Sequence, residues 1–70
     1  MITLEGLLKV IKSGSKTITV NLFNEEGLLI ISFGLPGYPA LEDTIEDDEV
    51  LEVEIVNLFT LNVKIDTTQD

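Results

Sequence analysis

The chain has 70 residues, enough for one domain, and its 13 acidic side chains face only four lysines, for a formal net charge of −9. Arginine, histidine, cysteine and tryptophan are absent, which excludes disulfides, thiolate nucleophiles, imidazole bases and zinc sites built on cysteine or histidine. We expect no direct binding to nucleic acid, because that affinity depends on basic side chains that neutralise phosphates.

Apolar residues make up 44% of the chain, too large a share for an intrinsically disordered protein. The longest purely apolar run, Leu28–Ile31, has four residues, far fewer than the roughly 20 that span a membrane. No basic segment follows Met1, so we expect no signal peptide, no membrane association and a cytoplasmic location. The apolar share exceeds what one small core needs, which leaves apolar surface for a partner.

The first predicted element is a helix over Leu4–Lys12, because apolar residues recur there at spacings of three and four. They are Leu4, Leu7, Leu8 and Ile11. Thr3 suits the N-cap position, and Gly14 suits the left-handed residue that follows a helix.

The next segments, Thr17–Phe23 and Leu28–Gly34, alternate apolar and polar residues and predict two strands of a hairpin. The loop Asn24–Gly27 joins them, with Gly27 expected at positive φ. Setting Phe23 opposite Leu28 gives the register Leu22–Leu29, Val20–Ile31, Ile18–Phe33 and Asn21–Ile30.

The segment Leu35–Pro39 breaks the sheet, and Pro36-Gly37 predicts a type II turn. A short helix is expected to open at Pro39 and to run through Ile45. Two interpretations of Tyr38 stay open: it closes one end of the core, or it anchors a partner.

A second predicted hairpin, Val50–Val56 with Thr60–Ile65, turns at residues 57–59. Its expected pairs are Leu51–Ile65, Val53–Val63 and Ile55–Leu61. The predicted fold is α+β: the N-terminal helix packs on a four-stranded antiparallel sheet of two hairpins, with the order in which the hairpins join left open. Residues 1–66 form the domain and residues 67–70 a frayed polar tail. The predicted core residues are Leu8, Ile11, Val20, Leu22, Ile31, Val53, Ile55 and Val63.

Eight of the 13 acids fall within 13 residues of the chain, and no basic residue lies between Thr17 and Val63. They are Glu42, Asp43, Glu46, Asp47, Asp48, Glu49, Glu52 and Glu54. Three interpretations stay open: a solvated surface, a docking surface for a basic partner, or a calcium site. Consecutive acids without a glycine suit calcium poorly, so we expect no metal site and no cofactor.

Catalysis is not expected, because no carboxylate has the apolar surroundings that would raise its pKa and no serine has a histidine partner. Five apolar residues fall outside the predicted core face: Phe23, Leu28, Ile30, Leu58 and Phe59. The first three form a candidate interaction patch. We expect a weak homodimer or a protein partner there. In the alternative, the segment near Leu41 and Ile45 covers this face.

One resemblance concerns the whole chain. A short helix ending in Val10–Gly14, the Asn24–Gly27 loop, the Leu35-Pro36 segment, the acidic stretch and a closing hairpin follow in that order. This pattern resembles small acidic proteins encoded by phages and prophages of Gram-positive bacteria. The resemblance implies a non-enzymatic interaction protein of a phage or mobile element. Two alternatives are an acidic inhibitor that imitates nucleic acid on a basic host protein, and a small divalent-metal-binding protein.

Overall fold

The computed structural model has a short helix packed on one face of a four-stranded sheet, and it describes residues 1–11, 14, 16–36, 41 and 43–68. The helices are α1 (Leu4–Val10) and α2 (Asp43–Glu46), and the strands are β1 (Ile18–Phe23), β2 (Leu29–Leu35), β3 (Glu49–Asn57) and β4 (Thr60–Asp66). The predicted α+β class is confirmed. The predicted type II turn at Pro36-Gly37, the helix start at Pro39 and both interpretations of Tyr38 fall outside the described residues.

The sheet has the order β2-β1-β4-β3, so each predicted hairpin forms and the two meet through β1 and β4. The two hairpin pairs are antiparallel, but β1 and β4 are parallel. The prediction of an all-antiparallel sheet is therefore wrong at its centre. Strands β2 and β3 therefore run in one direction, and β1 and β4 between them run in the other. The end of β2 and the start of β3 lie at opposite ends of the sheet.

Helix α1 begins as predicted and ends early. The backbone amide of Gly6 donates to the Thr3 hydroxyl at 3.1 Å, which confirms the N-cap. Ile11 is already extended, with φ −77° and ψ 124°. Two consecutive β-branched residues, Val10 and Ile11, lose side-chain freedom in a helix and weaken its last turn. Gly14 does have a positive φ of 65°, but it lies beyond the helix and does not cap it.

The first hairpin turns where predicted, and Gly27 has a positive φ of 86°. The Asn24 side-chain oxygen accepts hydrogen bonds from the amides of Glu26 and Leu28 at 2.9 and 3.0 Å. The Asn24 amide donates to the Leu28 carbonyl at 2.9 Å, so the turn closes on these two residues. The predicted closing pair, Phe23 with Leu28, is wrong because Phe23 lies opposite Leu29.

The register of this hairpin differs from the prediction by two residues. Its observed pairs are Ile18–Leu35, Val20–Phe33, Asn21–Ser32 and Leu22–Ile31. The later turn closure accounts for one residue of the shift, and a β-bulge between Leu22 and Phe23 accounts for the other. Because the shift is even, Val20, Leu22, Ile31 and Phe33 stay on the predicted face of the sheet. Leu29 does not, because the bulge places it opposite Phe23.

The second hairpin confirms the pairs Val53–Val63 and Ile55–Leu61. The pair Leu51–Ile65 is wrong, because a bulge at Leu51 places Val50 opposite Ile65. A second irregularity follows Ile55, after which Asn57 pairs with Thr60.

The core lies between α1 and the inner face of the sheet. Its buried residues are Leu4, Leu8, Val20, Leu22, Phe33, Leu35, Val63 and Ile65. Of the predicted core, Leu8, Val20, Leu22 and Val63 are confirmed, and Ile11 and Ile31 pack against it partly buried. Leu41 and Ile45 also pack against this core, so the alternative in which they cover the second face is wrong.

Val53 and Ile55 were expected in the core, but they are 43% and 76% exposed. Both residues lie on the outermost strand of the sheet, and β3 joins the core through the partly buried Val50.

The tail begins with an attachment rather than a frayed end. The Thr67 amide and hydroxyl both donate to one Glu25 carboxylate oxygen, at 2.7 and 2.8 Å. These bonds tie the end of β4 to the first hairpin turn, and residues 69 and 70 lie outside the described part of the chain.

We predict that Leu22→Ala lowers the free energy of unfolding by about 2–5 kcal/mol, because Leu22 is fully buried and truncation leaves a cavity. The matched control, Ile55→Ala, is expected to cost less than about 1 kcal/mol, because Ile55 is 76% exposed. Urea denaturation followed by circular dichroism measures both. Equal losses in the two variants would contradict the placement of β3 at an open edge.

A second prediction concerns the effect of low pH on the hydrogen bonds between Thr67 and Glu25. Hydrogen bonds from the Thr67 hydroxyl and amide lower the pKa of Glu25 below its ordinary value. A depressed folded-state pKa means that this attachment is complete above the ordinary glutamate pKa of about 4.3. The attachment is then lost as the pH falls through the lowered value. The Thr67 amide resonance should titrate with Glu25, and Glu25→Gln should abolish that titration. Glu26→Gln, in the same turn, should leave it intact; if it does not, the titration belongs to another carboxylate.

Candidate interaction surface along strand β3

Exposed apolar side chains concentrate at one edge of the sheet. Among the residues that the structure describes, twelve large apolar side chains are at least 38% exposed, and half of them lie in the segment Leu51–Phe59. These are Leu51, Val53, Ile55, Val56, Leu58 and Phe59. Every residue of this segment is exposed, and we call it the β3 surface. Single exposed apolar residues are ordinary, but a contiguous group of this kind marks an interaction site more often than chance.

The β3 surface is also the open edge of the sheet. Strand β3 pairs with β4 on one side. On its other side, the Val50 amide donates to the Ile2 carbonyl at 2.8 Å, and Thr3 forms an isolated bridge with Glu49. Beyond these contacts, no described residue pairs with the outer side of β3 from Leu51 onward.

The bulge at Leu51 and the irregularity after Ile55 divide β3. Bulges at an edge bend the strand and discourage uncontrolled pairing. Between them, Glu52–Ile55 keeps a regular register with β4. This stretch is the part of the edge that can extend the sheet by another strand.

The two faces of that stretch differ in chemistry. Val53 and Ile55 pair with Val63 and Leu61, and they continue the apolar inner face outward. Glu52 and Glu54 alternate with them and are exposed on the outer face. An incoming strand would therefore meet apolar groups on one side and carboxylates on the other.

A chain of hydrogen bonds crosses the outer face through all four strands. The Ser32 hydroxyl donates to the side-chain oxygen (Oδ1) of Asn21 at 2.7 Å. The side-chain Nδ2 of Asn21 donates to Oδ1 of Asn62 at 3.0 Å. The Asn62 amide group then donates to a Glu54 carboxylate oxygen at 3.1 Å. Asn21 was expected opposite Ile30 and lies opposite Ser32 instead, so the centre of this face is polar.

The predicted acidic set does not form one exposed ridge. Asp47, Glu52 and Glu54 are exposed, whereas Glu46 and Glu49 are half-buried. Glu42 and the side chain of Asp43 fall outside the described part of the structure.

Asp48 departs furthest from the expected exposure, because it is only 4% exposed. Its carbonyl accepts from the Leu4 amide at 3.0 Å, and its amide donates to the Ile45 carbonyl at 3.2 Å. Asp48 thus joins α2 to the start of α1. These backbone bonds and its burial give Asp48 a structural position rather than a place on an exposed acidic surface.

The predicted apolar patch lies at the tip of the first hairpin. Leu28 is 61% exposed and Ile30 is 38% exposed, while Phe23 is half-buried. Leu29, which was assigned to the core face, is 58% exposed beside them. The hairpin tip is therefore a smaller apolar group than the β3 surface. Of the β3 surface, Leu58 and Phe59 were expected outside the core face, as observed. Leu51, Val53 and Ile55 were missed because strict alternation in β3 was interpreted as burial.

Comparisons of the chain with protein-family models, with curated proteins and with solved structures find no match. The site is therefore argued from its own geometry. Within the described residues, no helix is long and apolar enough to cross a membrane. Among the same residues, no group of three acidic side chains is placed to hold a metal ion.

We predict that Asn62→Ala costs about 1–3 kcal/mol of unfolding free energy, because Asn21 and Glu54 both lose a hydrogen-bond partner. Thr19→Ala, at an exposed position of the neighbouring strand, is the control and should stay within about 0.5 kcal/mol. Thermal or urea unfolding measures the difference. A loss no larger than that of the control would show that the hydrogen-bond chain contributes nothing to stability.

Proposed function

We propose that this protein is a non-enzymatic interaction module that binds a polypeptide through the β3 surface. The observation that supports it most is the combination of an open strand edge with six exposed apolar side chains in one segment. A long, exposed, apolar edge is an aggregation hazard in a protein that leaves it uncovered. A partner that covers the edge removes that hazard.

Two kinds of contact are available on this surface. An added strand gains backbone hydrogen bonds along the edge, and side chains at alternate positions give specificity. Burial of apolar side chains such as Val53 and Ile55 adds roughly 25 cal/mol for each Å² removed from water. Neither contact needs a cofactor or a catalytic group.

The proposal extends to an accessory role in a phage or mobile element and to a cytoplasmic location. Its support is the resemblance in size and element order, together with the absence of cysteine, which fits a reducing compartment. An acidic mimic of nucleic acid is the weaker alternative. Mimicry needs acids spread along one exposed surface, whereas Asp48 is buried and Glu46 and Glu49 are half-buried.

The test compares two matched double variants of the tagged protein in an extract of the cells that produce it. Val53→Ser with Ile55→Ser removes apolar groups from the β3 surface, and Leu28→Ser with Leu29→Ser removes as many from the hairpin tip. All four positions are at least 43% exposed, so both variants should fold, which circular dichroism checks. Quantitative mass spectrometry measures the captured polypeptides, and sedimentation of the purified proteins measures self-association.

We expect the wild type and the hairpin-tip variant to bind the same polypeptide, or a second copy of the chain, and the β3 variant to lose it. Loss of binding in the hairpin-tip variant alone would move the site to that tip. Absence of any specific association in all three proteins would contradict the proposed function.

A further inference from the structure

We propose that the occupant of the β3 edge is an extended segment of another protein that alternates apolar and basic residues. This inference rests on the proposed function and names its partner class. Its basis is the juxtaposition of an open backbone edge, two inner-face apolar side chains and two outer-face carboxylates within Glu52–Ile55.

The alternation follows from the register. Val53 and Ile55 continue the apolar rows begun by Val63 and Leu61. Residues of the added strand on that face would therefore pack against Val53 and Ile55 best when they are apolar. The residues between them lie on the outer face beside Glu52 and Glu54. A strand of alternating residues presents one chemistry to each face, and lysine or arginine suits the acidic face.

On the open side of the edge, no basic residue is paired with these carboxylates within the described part of the chain. Lys64 lies opposite Glu52 on the β4 side, and Glu54 accepts its hydrogen bond from Asn62, also on β4. The salt bridge found within the described residues joins Lys9 to Glu5 on α1. An added strand would therefore supply the first positive charges on the open side of this edge, and opposite charges on adjacent strands stabilise the pairing.

A second copy of the chain fits the same edge poorly. In a twofold antiparallel pair, residues of one face lie opposite residues of the same face. When the Glu52–Glu54 stretches of the two copies pair with each other, each carboxylate lies opposite or diagonal to a carboxylate of the other copy. Such like-charge neighbours are destabilising. The net charge of −9 on each chain adds to the repulsion.

The open stretch also limits the size of the contact. A strand of four residues is about 14 Å long, which is short for an obligate interface. The edge therefore suits capture of a peptide-like segment, as in other cases of strand addition.

The test uses synthetic peptides rather than the natural partner. The probe is a fluorescent octapeptide that alternates lysine and valine, with its termini blocked. Two controls have the same composition and charge: one has all lysines before all valines, and the other repeats the probe sequence with methylated internal backbone nitrogens. Fluorescence anisotropy measures affinity, and amide chemical shifts of the wild-type protein locate the contact.

We expect the alternating probe to bind, both controls to bind at least about tenfold more weakly, and amide shifts to concentrate at Glu52–Ile55. The double variant Glu52→Gln with Glu54→Gln should weaken the probe about tenfold, since two cross-strand charge pairs are lost. Glu26→Gln with Asp47→Asn removes equal charge at exposed positions elsewhere and should change affinity less than about twofold.

Four results would overturn this proposal. If either control peptide binds as tightly as the alternating probe, the attraction is by charge alone. If the two double variants weaken the probe equally, Glu52 and Glu54 form no local charge pairs with it. A dimer that forms without peptide and is lost with Val53→Ser and Ile55→Ser identifies a second copy as the occupant. That last result would leave the proposed interaction surface standing, whereas no association of any kind would remove both.

Discussion

Burial of the two central strands beneath α1 is the constraint on which the rest of the structure depends. With no disulfide available and α1 only seven residues long, Val20 and Leu22 on β1 and Val63 and Ile65 on β4 supply the fully buried apolar surface. A domain of this size buries a modest share of its surface, so these positions take precedence over the outer strands. The parallel contact between β1 and β4 brings these buried residues together, and β3 lies outside them at the edge of the sheet.

Local patterns predicted the elements well, because turn chemistry and side-chain periodicity act over a few residues. Asn24 and Gly27 form the predicted turn, and Thr3 caps α1. The order of the hairpins depends on contacts between distant segments, which no local pattern contains. Alternation in Val53 and Ile55 shows which face of a strand is apolar, but it does not show whether a helix covers that face. These two residues of the candidate site were missed for this reason.

The acidic residues of β3 reconcile an exposed apolar strand with a protein that does not pair indiscriminately. Edge strands are commonly protected by charged side chains and by bulges. Here Glu52 and Glu54 oppose pairing with another copy, and the bulge at Leu51 interrupts the ladder. The same carboxylates favour a strand that carries positive charge. In the proposed interaction, one pair of side chains would both oppose self-association and select the partner.

The N-terminal segment determines where the open edge begins. Thr3 caps α1 with its side chain and bridges Glu49 with its backbone, while Ile2 accepts from the Val50 amide. The segment that starts the helix therefore also covers the beginning of β3, at Glu49 and Val50. An added strand would therefore be confined to the later part of β3, between Val50 and the exposed turn at Leu58 and Phe59. That turn is itself held to β1, because the Thr19 amide donates to the Phe59 carbonyl at 2.7 Å. Both limits of the site are thus attached to neighbouring elements, and the open stretch lies between these two attachments.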